Sequence, residues 1–260
     1  MSARRLREWS PHLYLALRSL RHLVRGERPD PFTAGILAEL CGDDPRVLGG
    51  PFEGMRCIPF ASGSGLLPKV VGSYEMEIHP AVTASLQRNY RRVVNVGCGE
   101  GYYAVGYARA LPAAAVYAFD SDILARHRLR GLARLNGVAR RVRVGGLCRP
   151  EDLAALAGRD CLLVCDCEGG ERELLDPLRA PLLTTTDILV EMHDFIDPSI
   201  SSTLESRFRA THEIEVFSML ERDGSEATFL ATLPAEERRF AVWEGRPSGM
   251  QWAWMRSRFR

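Results

Sequence analysis

The feature that most constrains this chain is an apolar run that ends in three glycines at alternate positions. Residues 93–96 read Val-Val-Asn-Val, then come Gly97, Gly99 and Gly101, and a helix-compatible segment follows from Tyr102 to Ala110. This order is typical of a strand, a tight turn and a helix N-terminus. Because glycine lacks a Cβ atom and tolerates positive φ, a ligand can lie against the bare backbone there. The pattern predicts a binding site for a nucleoside-bearing cofactor.

Downstream of Arg91, apolar runs alternate with helix-compatible segments. Such alternation predicts a parallel sheet covered by helices on both faces. We expect strands at 93–96, 116–119, 142–144, 161–165 and 188–190. We expect helices at 102–110, 123–135, 151–157 and 171–178. Two further strands, Ile214–Met219 and Thr228–Leu233, flank the turn Asp223-Gly224-Ser225 and predict a terminal hairpin.

The flanking regions differ from this core, which we place at residues 89–235. An N-terminal helical and lid region is expected at 1–88, and a tail that packs on the core through its tryptophans at 236–260. Apolar spacing predicts helices at Leu13–Val24, Pro31–Leu40 and Tyr74–Asn89. The glycine- and proline-rich stretch Gly49–Gly72 predicts a long loop or lid. The tail tryptophans are Trp243, Trp252 and Trp254.

Composition excludes several classes of function. The 260 residues carry a formal net charge of +1, which gives no sign of a nucleic-acid partner. A run of about 18 apolar residues, as a transmembrane helix requires, does not occur. The seven cysteines are odd in number and form no C-x-x-C pair, which favours reduced thiols in a cytoplasmic protein. Only Lys69 is a lysine among 34 basic residues, and this arginine bias favours a bacterial source.

The spacing of the glycines separates two classes of cofactor. A dinucleotide fingerprint reads G-x-G-x-x-G, whereas this chain has G-x-G-x-G. A second apolar run, Val116–Phe119, ends in Asp120, about twenty residues downstream. A carboxylate there can accept hydrogen bonds from both hydroxyls of a ribose. An NAD(P)-dependent oxidoreductase is therefore disfavoured.

The glycine turn together with Asp120 resembles the class I S-adenosylmethionine (SAM)-dependent methyltransferases. The resemblance implies a seven-stranded Rossmann-like α/β sheet, with five parallel βα units followed by a β-hairpin. Members usually carry Asp or Glu where this chain has Asn95. The residues we assign to cofactor binding are Asn95, Gly97, Cys98, Gly99, Gly101, Tyr102, Asp120, Ser121, Gly146, Leu147 and Asp166.

Acidic residues follow the fourth and fifth predicted strands. Residues 166–171 read Asp-Cys-Glu-Gly-Gly-Glu, and residues 191–194 read Glu-Met-His-Asp. The carboxyl ends of parallel strands meet at one edge, so these groups should lie close together. In one interpretation Mg²⁺ or Mn²⁺ is held by some of Asp166, Glu168, Glu191, His193 and Asp194. In a second, His193 is a general base, and in a third the acids cap the following helices. Our candidate catalytic residues are His193, Asp166 and Glu191.

A closer resemblance is to FkbM-like methyltransferases. It rests on D-x-E-G-x-E at 166–171, on Asn136-Gly137-Val138, and on Pro51-Phe52-x-Gly54-Met55 and Gly72-Ser73-Tyr74-Glu75 ahead of the core. The acids also resemble those of metal-dependent O-methyltransferases of the catechol type. These resemblances imply methyl transfer to an oxygen of a sugar or other small molecule.

The segment ahead of the core supplies candidate acceptor-binding residues. We assign substrate contacts to Lys69, Tyr74, Glu75 and Glu168, since a glycine-rich neighbour is what a mobile lid needs. The expected partner is a small-molecule acceptor, with neither nucleic acid nor membrane, and the sequence leaves a homodimer open. Two alternatives stay open because cofactor binding and reaction outcome are separable: a non-catalytic SAM-binding protein, and an enzyme that uses SAM for another reaction.

Overall fold

The computed structural model describes residues 29–62, 64–225, 227–246 and 249–259. Its sheet has seven strands in the order β3-β2-β1-β4-β5-β7-β6. The strands are β1 Arg92–Val96, β2 Ala115–Phe119, β3 Val142–Gly145, β4 Cys161–Cys165, β5 Asp187–Met192, β6 His212–Ser218 and β7 Gln251–Ser257. The first five are parallel, and β7 pairs antiparallel with both β5 and β6. The predicted α/β Rossmann-like sheet is confirmed.

Helices lie before and between these strands, and we number them within the described residues. They are α1 Pro31–Cys41, α2 Leu66–Val71, α3 His79–Leu86, α4 Tyr102–Ala110, α5 Ile123–Leu135, α6 Pro150–Leu156, α7 Glu171–Leu174, α8 Ile200–Phe208 and α9 Ala235–Val242. Short 3₁₀ helices span Met76–Ile78, Pro181–Thr185 and Thr228–Thr232. Among the described residues no helix has the length and hydrophobicity needed to cross a membrane.

The strands are apolar because both faces of the sheet are covered. β4 is fully buried along Cys161–Cys165. One apolar cluster on α4 and α5 covers one face, and a second cluster on α7 and α8 covers the other. Burial at about 25 cal/mol per Å² of apolar surface stabilises this layered arrangement. The sheet therefore presents a rigid carboxyl edge from which loops project.

The prediction for the second strand of the terminal hairpin is wrong. Thr228–Leu233 is mostly the 3₁₀ helix Thr228–Thr232, and the last strand is Gln251–Ser257, inside the segment interpreted as a tail. There Trp252 and Trp254 are buried, because β7 lies between β5 and β6. Trp243, in contrast, is 64% exposed. Strand propensity alone could not choose between the two segments, since pairing with β5 decides.

The segment ahead of the sheet is more structured than a lid loop. Gly49–Gly72 contains α2, and the helix predicted over Tyr74–Asn89 is a 3₁₀ turn followed by α3. Helix α1 confirms the prediction at Pro31–Leu40. It is capped by Asp30, whose carboxylate accepts the N–H groups of Phe32 and Thr33. The helix predicted at Leu13–Val24 lies outside the described residues.

Candidate functional site

A cavity of about 920 Å³ opens at the carboxyl edge of the sheet. It is walled by the ends of β1, β2, β4 and β5 and by two segments outside the five βα units, one before β1 and one before β7. Of the predicted site residues, its wall includes Tyr74, Glu75, Gly97, Gly99, Asp120, Ser121, Leu147, Asp166, Glu168, Glu191 and His193. The sheet thus brings the predicted cofactor and acidic residues to a single cavity.

One end of the cavity is formed by the glycine turn. Gly97 has φ +70°, and a Cβ atom built there would stand 1.4 Å from the carbonyl oxygen of Asp166. No side chain fits between the β1 and β4 exits, so the sequence requires glycine. Gly101, at φ +102°, is the N-cap of α4 and packs against Leu129. Gly97 and Gly99 therefore line the cavity with backbone rather than side chains, whereas Gly101 lies outside its wall.

Asp120 lies beside this turn. Its Oδ2 accepts the Gly99 N–H at 2.8 Å, and its Oδ1 accepts the Asp122 N–H at 2.8 Å. Burial raises the pKa of Asp120, although these two hydrogen bonds oppose the shift. Each carboxylate oxygen can accept a second hydrogen bond, so hydroxyl groups of a ligand can still bind. Ser121 and Leu147 line the cavity nearby.

The other end is acidic and surrounds His193, which is 1% exposed. Its Nδ1 lies 2.7 Å from Glu171 Oε1. Its Nε2 lies 3.5 Å from Asp166, 3.6 Å from Glu191 and 3.7 Å from Glu168 carboxylate oxygens. Burial alone would lower the pKa of His193, but the hydrogen bond and charge of Glu171 and the other carboxylates raise it. The imidazole is therefore held in its protonated form more firmly than a free histidine.

Two of the acidic residues, together with His193, could hold a metal ion. Asp166, Glu191 and His193 each offer one ligand atom, and these atoms lie within 4.8 Å of one another. Burial, followed by the charges of Glu191 and Glu75, raises the pKa of Asp166 well above its ordinary value. Repulsion of this kind is relieved by a cation or by protonation.

Asp194, predicted as a metal ligand, is a helix cap instead. Its carboxylate accepts the backbone N–H of Ser201 at 3.0 Å and the Ser201 hydroxyl, in the first turn of α8. Because β5 ends at Met192, the following turn directs Asp194 toward α8 rather than toward the cavity. The capping interpretation is correct for this residue.

Other predicted residues lie behind the wall rather than in it. Asn95 is 2% exposed and its amide donates to the Val164 carbonyl at 3.4 Å. Cys98 and Tyr102 are buried in the apolar cluster around α4, and Tyr102 packs edge-to-face on Phe52 and Tyr74. Gly146 and Lys69 are also outside the wall, and Lys69 forms an ion pair with Glu100.

Glu75 reaches the acidic end from the segment ahead of the sheet. It is 1% exposed, its carboxylate accepts the Tyr103 hydroxyl, and its N–H donates to Glu244 at 2.7 Å. Burial first, then the charge of Glu191, raises the pKa of Glu75 to about 8. Glu75 and Glu168 are the non-glycine residues described with positive φ, at 50° and 56°. Two strained acidic residues in one wall are typical of a functional site.

Sequence reasoning missed two residues that organise the acidic end. Glu171 is fully buried and orients His193, and the D-x-E-G-x-E motif contains it without revealing that contact. Arg246 donates to Glu191, to Glu77 at 2.8 Å and to Glu244 at 3.0 Å. No local pattern marks Arg246, because it lies in an irregular connection that only the placement of β7 brings to the cavity.

Comparisons with known proteins do not assign the chain to a family. No protein-family model matches the chain, and no curated protein matches it. Among solved structures, a precorrin-6y C5,15-methyltransferase from Geobacter metallireducens is 14% identical, covering 68% of this chain and 86% of that one, with a TM-score of 0.47. The O-methyltransferase TomG from Streptomyces achromogenes, in complex with SAM, is also 14% identical, covering 67% and 77%, with a TM-score of 0.43.

A third similar structure is the C-terminal domain of a precorrin-6Y C5,15-methyltransferase from Rhodobacter capsulatus. It is 17% identical and covers 69% of this chain and 89% of that one, with a TM-score of 0.46. All three similar proteins are methyltransferases by name. At this level of similarity, only the residues of this chain can indicate its own function.

Proposed function

We propose that this protein is a SAM-dependent methyltransferase that transfers a methyl group to an oxygen of a small molecule, such as a sugar or natural product. One observation carries the proposal: the glycine turn with Asp120 and the acidic group around His193 line the same cavity, and the two groups adjoin where Gly97 lies against Asp166. A cofactor bound along the turn and an acceptor bound at the acids would meet between them. The fold resemblance adds to this argument without replacing it.

The chain's own residues would act mainly by alignment. Backbone at Gly97 and Gly99 leaves room for the methionine part of the cofactor, and Asp120 would accept the ribose hydroxyls. When bound, SAM would supply a sulfonium methyl group that an acceptor oxygen attacks in line, so that the oxygen–carbon bond forms as the carbon–sulfur bond breaks and SAH leaves. Glu75 and Tyr74 would contact the acceptor from the opposite wall. Holding two reactants in this geometry lowers the entropic part of the barrier.

The acidic end fits a divalent cation such as Mg²⁺ or Mn²⁺. Asp166, Glu191 and His193 would hold it through two carboxylates and the Nε2 atom. Asp166 Oδ1 is buried and has no hydrogen-bond partner, as expected for a ligand atom. Glu171 fixes the other ring nitrogen, as carboxylates commonly do for metal-binding histidines. A bound cation would lower the pKa of an acceptor hydroxyl.

The same geometry also suits His193 to the role of general base. Glu171 holds Nδ1, and Nε2 faces three carboxylates of the cavity wall. These contacts raise the affinity of the imidazole for a proton, as a base requires. A cation bound at Nε2 would need the neutral imidazole and would exclude the base role, so the two roles are alternatives at this nitrogen.

A titration of S-adenosylhomocysteine (SAH) into chelator-treated protein tests the proposal. We expect micromolar-range binding that is lost in Asp120→Ala and kept in Asp223→Ala, a matched change at an exposed aspartate. Added Mn²⁺ should bind the wild type and bind Asp166→Asn at least about tenfold more weakly. Absence of SAH binding to wild type would overturn the methyltransferase proposal. Equal Mn²⁺ affinity in wild type and Asp166→Asn would overturn the metal site.

A second candidate function is a SAM-binding protein that transfers no methyl group. The position of Asn95 favours it, because a buried amide stands where class I methyltransferases usually carry an acid. Such a protein would bind SAH in the same titration but would form no SAH from SAM with any hydroxylated acceptor. Detection of acceptor-dependent SAH formation would exclude it.

A further inference from the structure

The only lysine of the chain is buried against the glycine turn. Lys69 lies in α2, and its ammonium group pairs with the carboxylate of Glu100, with side chains 7% and 4% exposed. Glu100 stands between Gly99 and Gly101 but is not in the cavity wall. The ion pair therefore joins a helix ahead of the sheet to the turn that frames the cavity.

Glu100 makes a second contact with the segment ahead of the sheet. Its Oε2 accepts the backbone N–H of Ser62 at 2.7 Å, and the Ser62 hydroxyl accepts Arg128 Nη1 at 2.8 Å. A Cβ atom built on Gly99 would stand 3.5 Å from Ser62 Cβ. Ser62 and Ser64 both line the cavity. One carboxylate thus holds α2 and part of the wall against the turn.

Lys69 also contacts a residue of the cavity wall from behind. Its Nζ lies 4.7 Å from the centroid of the Tyr74 ring, which lines the acidic end next to Glu75. A cation over an aromatic ring is favourable when both are desolvated. A buried ion pair contributes little to stability by itself, since its desolvation offsets its attraction. The pair instead connects the glycine turn with Ser62 and Tyr74 of the cavity wall.

We propose that Glu100 is a positioning residue for the cofactor end of the cavity. Through Ser62 and Lys69 it holds the wall ahead of the sheet against the glycine turn, so that cofactor binding and closure of this wall are coupled. The inference rests on the proposed function, because the ligand is SAM or its product SAH. It assigns Lys69 to this contact and not to the acceptor.

The single lysine offers a direct readout. N-Hydroxysuccinimide acetate labels an exposed ε-amine, and mass spectrometry can follow the one peptide that contains Lys69. We expect saturating SAH to slow labelling of Lys69 at least about fivefold, since bound ligand favours the closed wall. A labelling rate that saturating SAH leaves unchanged would overturn the coupling.

A double variant separates positioning from folding. Lys69→Met/Glu100→Leu removes both charges together, and such replacements usually leave stability unchanged or higher. We expect a urea midpoint near that of wild type with SAH binding about tenfold weaker, or about 1.4 kcal/mol. The control Arg207→Met/Asp176→Leu removes a pair at 3.2 Å outside the cavity wall and should leave SAH affinity unchanged.

The outcomes distinguish this inference from the proposed function. Failure of wild type to bind SAH would overturn both. Equal SAH affinity in wild type and in a stably folded double variant would overturn the positioning role alone. If the double variant does not fold, the labelling experiment on wild type still decides.

Discussion

The two ends of the cavity are built in different ways. The cofactor end consists of the β1 and β2 exits, separated by one helix in the chain, and much of its surface is backbone. The acidic end collects side chains from four separate regions, at Glu75, Asp166, Glu191 and Arg246. A site made of backbone tolerates few substitutions, but its residues lie close together in the sequence and can be recognised there. A side-chain site can be tuned by single charges, and its members depend on tertiary packing.

The largest effect should come from the turn. Gly97→Ala places a methyl group against the Asp166 carbonyl at a backbone angle that L residues avoid. We expect a loss of more than about 3 kcal/mol in the free energy of unfolding, because neither strand can shift in a packed sheet. Urea denaturation measures it. The control Gly131→Ala, in α5 with no atom within 4 Å, should be neutral or stabilising. Equal stability of Gly97→Ala would contradict the close approach.

At the acidic end, Glu171→Gln should have the next largest effect, about 3 kcal/mol, because it breaks a buried ion pair. Although burial opposes both shifts, pairing lowers the pKa of Glu171 and raises that of His193. The His193 contribution is lost as pH rises through its folded pKa, and the Glu171 contribution is lost as pH falls through its own.

The difference between wild type and Glu171→Gln should therefore be greatest between the ordinary pKa values of 4.5 and 6.5. Unfolding free energies from pH 4 to pH 8 measure this profile. A difference that does not vary with pH would show that the pair is not ionised.

Glu75→Gln tests a carboxylate at the acidic end whose ionisation destabilises the fold, in contrast to that of Glu171. Because the pKa of Glu75 is raised to about 8, its ionised form destabilises the fold, fully above that pH and not below about 4.5. Gln resembles the protonated acid, so the advantage of the variant over wild type should grow by at least about 2 kcal/mol between pH 5 and pH 9, since each unit of pKa shift corresponds to about 1.4 kcal/mol. The exposed control Glu221→Gln should show no such trend. A constant difference across this range would refute the raised pKa.

The smallest effect is expected outside the cavity. Asp194→Ala should remove the cap on α8 and cost about 1 kcal/mol of unfolding free energy. Mn²⁺ affinity should stay within about twofold of wild type, in contrast to Asp166→Asn. Isothermal titration of both variants makes the comparison. A large loss of Mn²⁺ affinity in Asp194→Ala would restore it as a ligand.

Residues next to one another in the chain were the predictable part of the site. Gly97, Gly99 and Asp120 follow directly from apolar runs that end in special residues, and they lie in the wall as expected. The structure places Asp194 against α8 and outside the cavity wall, because the turn after β5 directs its side chain there. Lys69 is likewise outside the wall, and its burial against Glu100 cannot be inferred from either local pattern.

The sequence by itself determined the five βα units, the glycine turn and the edge at which the acids collect, because strand period and glycine conformation are local properties of the chain. Tertiary structure alone decided that β7 comes from the last residues, that Arg246 and Glu75 meet at the acidic end, and that Glu171 orients His193. Those contacts join residues far apart in sequence, and their free energy comes from burial and charge that exist only after the chain has folded.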